Sequence, residues 1–167
     1  MAMLQEATIA LLLEIQPDAL TVRDIAERAG VHYRYIPDYF GGKAELFASI
    51  YSRVVHEAAD QLEFPFAAAL TNGIDPKIIR LARLALWLSA NHPPGVPATD
   101  RPLMHKLELL LVGQLGIDPT SAILIAERLF ALIIILAAYP DVVNPNGVDI
   151  QAHIKLEIQM LTAFAKN

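Results

Sequence analysis

The spacing of apolar residues is the feature that most constrains the fold of this 167-residue chain. Apolar residues recur at intervals of three and four along its segments, and no stretch alternates apolar and polar residues as a half-buried strand would. Two Asp-Pro pairs, beginning at Asp75 and Asp118, strengthen the pattern, because aspartate caps helix N-termini and proline suits the first helical position. The sequence therefore predicts an all-α protein.

Composition limits the possible functions. The chain is 54% hydrophobic, has no cysteine and carries a net charge of −5. The lack of cysteine excludes disulfide scaffolds, thiolate metal sites and cysteine nucleophiles. No catalytic motif or phosphate-binding glycine loop is present, and His153 and Glu157, four residues apart, are more typical of a solvated ion pair than of a metal site. We predict neither an enzyme nor a cofactor or metal site.

The longest apolar run, Leu129 to Tyr139, is shorter than the roughly 20 residues that a membrane-spanning helix needs. Glu127 and Arg128 prevent it from extending backwards. The first 16 residues contain two glutamates and lack the basic start of a signal peptide. The sequence therefore predicts a cytoplasmic protein without a membrane segment.

The N-terminal segment predicts a compact group of helices. A first helix is expected from about Leu4 to Ile15, and a second opens at Thr21, where Asp24 completes a capping box. Gly30 is expected to end the second helix in a left-handed conformation. A long helix is expected from Lys43 to about Leu62. Its predicted buried stripe contains Leu46, Phe47, Ile50, Val54 and Ala58.

A helix-turn-helix needs a small residue where its two helices meet, a permissive residue in the bend and an exposed start of the second helix. Ala26, Gly30 and the inward-facing Val31 meet these needs. The stretch "HYRYIPDYF", residues 32–40, then offers side chains that suit phosphates and base edges. The sequence predicts that this stretch contains the DNA-contacting helix.

Two series of residues give the closest resemblance to a known family. Thr21-Val22-x-x-Ile25-Ala26-x-x-Ala29-Gly30-Val31 is followed by Tyr39-Phe40-Gly41-x-Lys43-x-x-Leu46. Together they resemble the N-terminal DNA-binding domain of the TetR (tetracycline-repressor-like) family over about residues 4–51. The resemblance implies an all-helical homodimer that represses transcription and leaves DNA when a small molecule binds.

The resemblance also implies an organisation and a set of DNA contacts. A three-helix helix-turn-helix domain would occupy residues 1–48, and a helical ligand-binding and dimerisation domain would occupy residues 49–167. Double-stranded DNA with a pseudo-palindromic operator would be the partner. The residues expected to contact it are Thr21, Val22, His32, Tyr33, Arg34, Tyr35, Tyr39 and Lys43.

Two departures from the family pattern are expected to weaken DNA binding. Pro37 stands in place of a usual tyrosine and removes a backbone hydrogen bond to the Tyr33 carbonyl, at an interior cost of about 3 kcal/mol. Because the recognition helix is short, part of this loss can be absorbed by a kink or a 3₁₀ turn, so we expect a distorted recognition helix that Ile36 and Phe40 anchor. The basic arm that often precedes the first helix is missing, so binding should be weaker and less salt-sensitive.

The C-terminal half carries more apolar surface than one core needs, which favours a homodimer through its last two helices. The residues predicted at that interface are Leu129, Ile133, Ile150, Ile154, Ile158 and Leu161. A hydrophobic small-molecule effector is expected in this half. Its candidate contacts are Phe64, Trp87, Met104, His105 and Tyr139, for which ordinary core or surface roles remain open.

A rival hypothesis keeps the same scaffold without DNA binding. The acidic N-terminal segment, Pro37 and the missing arm favour a ligand-binding or protein-interaction module whose DNA affinity is weakened or lost. Sequence-dependent binding to duplex DNA separates this hypothesis from a transcriptional regulator.

Overall fold

The computed structural model of the chain describes residues 1–62, 76–91, 101–144 and 146–164, and all regular structure in these ranges is helical. The predicted all-α fold is confirmed. The helices are α1 (Ala2–Leu12), α2 (Val22–Ala29), α3 (Tyr35–Phe40), α4 (Lys43–Gln61), α5 (Pro76–Asn91), α6 (Pro102–Leu115), α7 (Pro119–Ala138), α8 (Pro140–Val143) and α9 (Ile150–Phe164).

The chain forms two compact units. The first contains Met1–Val54 and Arg83–Asp100, and the second contains Val55–Ala82 and Arg101–Asn167. Helices α4 and α5 therefore each contribute residues to both units. The boundary expected after residue 48 stays a prediction, but the first unit also includes the second half of α5, which lies far from the helix-turn-helix in the sequence.

Helix α2 begins and ends where the local signals predicted. The Thr21 hydroxyl accepts a hydrogen bond from the Asp24 N–H at 3.2 Å, and the Thr21 N–H donates to the Asp24 carboxylate at 2.8 Å. The Thr21 hydroxyl also donates to the Asp24 carboxylate at 2.6 Å, and this bond, followed by the one from the Thr21 N–H, lowers the pKa of Asp24. Gly30 then adopts φ 66°, and the Val31 N–H donates to the Ala26 carbonyl at 3.0 Å. The capping box and the glycine stop are both confirmed.

The core of the first unit lies beneath α1, α2, α3 and the first half of α4. Its largest fully buried apolar side chains are Leu20, Ile25, Ile36, Leu46, Phe47, Ile50 and, from the second half of α5, Leu88. Polar contacts join α1 to α4: Arg53 pairs with Glu6 at 2.8 Å, and the Gln5 amide donates to Ser49 at 3.1 Å. This packing fixes the platform that carries the turn between α2 and α3.

Two predicted details of these helices are wrong. Helix α1 ends at Leu12, because Glu14 and Ile15 both donate to the Leu11 carbonyl and tighten the chain into a turn before Pro17. In α4 the buried row continues through Tyr51, Val55 and Ala59, and it does not include Val54 and Ala58. Steps of four from Phe47 set that row, so it lies one residue beyond the predicted stripe.

The second unit is built from α6 on α7 and α9 on α7. Asp118 caps α7 as predicted, since its carboxylate accepts from the Ser121 N–H at 3.0 Å. The expected cap at Asp75 lies outside the described residues. Glu157 of α9 pairs with Arg128 of α7 at 2.6 Å, so an interhelical partner replaces the solvated pair predicted with His153. Among the described residues, no group of acidic and histidine side chains is arranged to hold a metal ion.

Helix α7 is longer than the apolar run that the sequence singled out. Pro119–Leu136 is long and apolar enough to cross a membrane by length and composition, although a core helix of a soluble protein meets the same test. Glu127 and Arg128 lie inside this stretch, so the apolar run was estimated too short, whereas the helix that begins at Pro119 after the Asp118 cap is as predicted. Only 22% of the stretch is buried within the chain, so α7 keeps a large uncovered apolar surface.

Candidate nucleic-acid interface

The segment between α2 and α3 is a tight, hydrogen-bonded turn. The Tyr35 N–H donates to the His32 carbonyl at 3.1 Å, and the Ile36 N–H donates to the Tyr33 carbonyl at 3.2 Å. His32 Nδ1 accepts from the Arg34 N–H at 3.3 Å. His32 thereby supplies an acceptor for the start of the recognition helix, a role that serine and threonine side chains commonly fill.

Pro37 is accommodated because α3 starts later than the sequence predicted. It is the third residue of α3, within the first turn, where backbone N–H groups have no partner inside the helix. The Tyr33 carbonyl accepts instead from the Ile36 N–H. Helix α3 ends with a regular helical hydrogen bond, which the Gly41 N–H donates to the Pro37 carbonyl at 3.0 Å. The expected cost of an interior proline does not apply. The distortion is confined to a shortened helix and a 3₁₀-like entry.

The two expected anchors of α3 differ in depth. Ile36 is fully buried in the core of the first unit, as predicted. Phe40 is half-buried. Since Ile36 faces the core, the neighbouring side chains on the opposite side of this short helix face outward.

Five polar and aromatic residues gather on that outward side, and we call them the recognition surface: His32, Tyr33, Arg34, Tyr35 and Tyr39. The three tyrosines are 40%, 44% and 58% exposed in sequence order. The His32 and Tyr33 rings lie 4.6 Å apart, and the Tyr35 and Tyr39 rings lie 5.6 Å apart. The structure therefore brings together five of the eight predicted DNA-contacting residues.

Arg23 is a member of this region that the sequence analysis missed. It is the second residue of α2, its side chain is exposed, and its guanidinium carbon lies 5.8 Å from the centre of the Tyr33 ring. A cation over an aromatic face is attracted by the ring quadrupole. Ten residues separate the two in the sequence, so only the fold of the turn reveals the contact. The candidate interface therefore contains two arginines, Arg23 and Arg34.

Thr21 and Val22 lie at the start of α2. The Thr21 hydroxyl donates to the Asp24 carboxylate at 2.6 Å and accepts from the Asp24 N–H, so its main contacts are those of a helix cap. Val22 is half-buried. Contacts of these two residues with DNA stay predictions.

Lys43, the first residue of α4, has an internal set of partners. Its Nζ donates to the Pro17 carbonyl at 2.7 Å and lies 5.0 Å from the Trp87 ring centre and 5.3 Å from the Phe47 ring centre. Burial lowers the pKa of Lys43, while Asp18 and Asp24 oppose that shift. Contact of Lys43 with a DNA phosphate stays a prediction.

The predicted effector contacts occupy different surroundings. Trp87 belongs to the first unit and packs edge-to-face on Phe47 with ring centres 5.0 Å apart. Met104 is buried, whereas its neighbour His105 is exposed beside Glu108 at 3.7 Å. Tyr139 is exposed, and Phe64 lies outside the described residues. A role for any of these in binding an effector stays a prediction.

Comparison with known families decides the relationship of the N-terminal segment. The family model described as bacterial regulatory proteins, tetR family, matches residues 4–50. Residues 4–50 therefore match the TetR family of bacterial regulators. The matched range contains α1, α2, α3 and the start of α4, together with the whole recognition surface.

A solved structure extends the likeness in fold along the chain. The TetR family repressor AlkX from Dietzia sp. strain DQ12-45-1b, implicated in biodegradation of n-alkanes, is 15% identical with a TM-score of 0.53. The match covers 98% of this chain and 94% of that one. The fatty acid degradation regulator FadR from Bacillus halodurans is 18% identical with a TM-score of 0.47, covering 96% and 93%. No curated protein sequence matches this chain. The match of residues 4–50 to the tetR family model supports a DNA-binding transcriptional regulator.

Proposed function

We propose that this TetR-family protein is a ligand-responsive repressor that binds a pseudo-palindromic operator as a homodimer and is released by a hydrophobic small molecule. One observation carries the proposal. The recognition surface is exposed on a helix-turn-helix whose opposite side is fixed by the fully buried Ile36. A rigid support of this kind allows side chains to meet a DNA groove without first being ordered.

The chemistry of the recognition surface suits duplex DNA. Arg34 presents a planar guanidinium that can donate two hydrogen bonds to guanine O6 and N7. Tyrosine hydroxyls donate to phosphate oxygens, and the ring of Tyr35 or Tyr39 can contact a thymine methyl group. Arg23, beside Tyr33, adds a positive charge to a protein that is acidic overall. We therefore expect an affinity that depends on a few base contacts more than on general phosphate neutralisation.

Dimerisation would bring two recognition surfaces to one duplex. Helix α7 exposes apolar side chains that include Ile123, Leu124 and Ile135, which supports pairing along this helix. Leu129, predicted at the interface, is only 4% exposed in the single chain and so supports α7 from inside. Ile133 is half-buried, and the side chains of Ile150, Ile154, Ile158 and Leu161 lie outside the described part of the chain. A twofold pair would place the two α3 helices about 34 Å apart, one turn of DNA.

Release by an effector would act through α4. This helix contributes its first half to the unit with the recognition surface and its second half to the other unit. An effector that binds one arrangement of α4 better than the other would shift the population of DNA-competent dimers. The apolar character of α6, α7 and α9 favours a hydrophobic effector.

The test begins with a duplex enriched by the wild-type protein from a random pool, which needs no knowledge of the operator. Fluorescence anisotropy then compares wild type with Arg34→Ala, for which we expect a loss of about 1–3 kcal/mol of specific binding free energy. Arg28→Ala is the matched control, because Arg28 is an exposed arginine near the C-terminal end of α2 that pairs with Glu14 at 2.8 Å and is not part of the recognition surface. Equal affinities of Arg34→Ala and Arg28→Ala for the enriched duplex would remove Arg34 from the interface.

A protein-interaction module on the same fold is the second candidate. Its supporting observation is the internal placement of the Lys43 ammonium, which leaves the start of α4 with one fewer cation directed at solvent. Under this alternative the random pool yields no enriched duplex even at low salt.

A further inference from the structure

Lys43 has an unusual setting for a lysine expected to meet a DNA phosphate. We propose that Lys43 is a movable DNA contact, stored in the DNA-free protein between the Pro17 carbonyl and the Trp87 ring, so that Trp87 is a positioning residue that sets operator affinity. This inference rests on the proposed DNA-binding function. It adds that the Pro17 carbonyl and the Trp87 ring compete with a DNA phosphate for the Lys43 ammonium.

The stored position is defined by three elements of the first unit. The segment before α2 supplies the Pro17 carbonyl at 2.7 Å from Nζ, α4 supplies Lys43 itself, and α5 supplies Trp87 at 5.0 Å. Phe47, one turn further along α4, lies 5.3 Å from the same ammonium and packs edge-to-face on Trp87. The indole is therefore held in place by a buried ring while its face meets the cation.

The Lys43 ammonium can leave this position and bind a DNA phosphate instead. Lysine has a long flexible stem and three rotatable donors, so Nζ can move several ångströms while the backbone stays fixed. A phosphate would offer a full negative charge in place of a carbonyl and an aromatic face. Burial lowers the pKa of Lys43, which indicates that its stored site solvates the charge less well than water does.

The two positions exclude each other, and this gives Trp87 its influence. Any interaction that stabilises the stored ammonium must weaken DNA binding by the same factor, because the contact is made only in the free protein. Trp is the side chain with the strongest attraction for a cation among the aromatics. Trp87 therefore lowers operator affinity without touching DNA. Since α5 also contributes residues to the second unit, changes there have a covalent route to this contact.

The first experiment examines the DNA-free protein. Trp87 is the only tryptophan of the chain, so its fluorescence reports on its own surroundings. Lys43→Met keeps an apolar stem and removes the ammonium, and it should change the emission maximum and intensity of Trp87. Arg28→Met, which removes one exposed cation elsewhere in the first unit, should leave the emission unchanged. Identical emission from wild type and Lys43→Met would overturn the stored position.

The second experiment measures affinity for the duplex enriched by the wild-type protein. Trp87→Phe keeps a ring against Phe47 and weakens the attraction for the cation, so affinity should rise about twofold to fivefold. Lys43→Met should lower affinity and make the salt dependence shallower by about 0.9 in the slope of log K against log salt, the value for one phosphate. In the Lys43→Met background, Trp87→Phe should have no effect on affinity.

The pair of experiments separates the two levels of the proposal. If the wild-type protein enriches no duplex, the DNA-binding function fails and this inference falls with it, whatever the emission shows. If the duplex is enriched but Trp87→Phe changes affinity equally in both backgrounds, the function stands and the inference fails. Addition of the duplex should also shift Trp87 emission in the wild type and leave Lys43→Met unchanged. An equal shift in both proteins would contradict the movement of the ammonium.

Discussion

The turn between α2 and α3 and the helix α7 differ in what each leaves uncovered. The turn exposes tyrosines and arginines above a fully buried Ile36, and its backbone hydrogen bonds are made within a few residues. Helix α7 also has a local hydrogen bond at its start, where Asp118 caps it, but it exposes aliphatic side chains such as Ile123 and Leu124. Both regions are locally well specified, and they differ in the chemistry of the surface that remains.

This difference separates two kinds of partner. A polar and aromatic surface on a rigid support gains from hydrogen-bonding ligands such as DNA, because its groups already point outward. An aliphatic surface gains only from being covered by another apolar surface, which is the usual driving force of homodimer interfaces. The comparison therefore favours DNA as the proposed partner of the turn and a second copy of the chain as the proposed partner of α7. Each assignment makes its own predictions.

The largest effect is expected where α7 meets its proposed partner. Leu124→Lys would place an unpaired charge in a covered apolar surface, at an expected cost of about 3 kcal/mol or more, or at least a hundredfold in the dimer dissociation constant. Sedimentation velocity over a concentration series measures that constant. The matched control is Leu109→Lys on α6, because Leu109 is 57% exposed and Leu124 is 60% exposed. If the two variants associate alike, α7 is not the dimer interface.

The next effect concerns the support of the turn. Ile36→Ala removes a fully buried side chain beneath the recognition surface and should lower the free energy of unfolding by about 2–5 kcal/mol. Urea unfolding followed by circular dichroism measures this loss. Tyr39→Ala, on the exposed side of the same helix, should change stability by no more than about 0.5 kcal/mol. A large loss in Tyr39→Ala would mean that the recognition surface is part of the core.

A smaller effect is expected at Pro37, where sequence and structure disagree. Pro37→Ala should change the free energy of unfolding by less than about 1 kcal/mol, because the proline occupies the first turn of α3 and removes no helical hydrogen bond. The same urea measurement applies. A stabilisation of about 3 kcal/mol on replacing Pro37 would instead restore the sequence-based view of an interior proline.

The smallest effect is a pH dependence at the start of α7. The hydrogen bond from Ser121 is the largest of the interactions that lower the pKa of Asp118 below its usual range. A lowered native pKa contributes stability above the unfolded-state pKa, and that contribution disappears as pH falls through the native value. Asp118→Asn keeps the cap without the titration. Wild type should therefore lose stability relative to Asp118→Asn only under acidic conditions, and a constant difference at all pH values would exclude this cap as the source.

Much of the fold follows from signals that act over a few residues. The cap at Thr21, the glycine stop at Gly30, the cap at Asp118 and the burial of Ile36 all depend on spacing within one or two helical turns. Such signals are readable because the groups that satisfy each other are close in sequence. The apolar periodicity predicted the all-α fold, and the TetR-like motif, which joins several of these local signals in a fixed order, predicted the helix-turn-helix.

What escaped the sequence depends on contacts between distant residues or on the exact helix start. Lys43 meets Trp87 across 44 positions, and Arg23 meets Tyr33 across a turn whose shape the sequence does not state. Pro37 was taken as an interior residue because the start of α3 was expected earlier. In α4 the buried row shifted by one residue, which only packing against other helices decides.

The most direct test of the central claim, that the recognition surface enters a major groove, is protection of guanine N7 from methylation in the enriched duplex. The wild-type protein should protect guanines in two clusters about one helical turn apart, since arginine contacts N7 and O6 in that groove. Arg34→Ala should lose protection at one guanine in each cluster and keep the rest. Protection that is absent, or that is identical for wild type and Arg34→Ala, would contradict the placement of Arg34 and its neighbours in the groove.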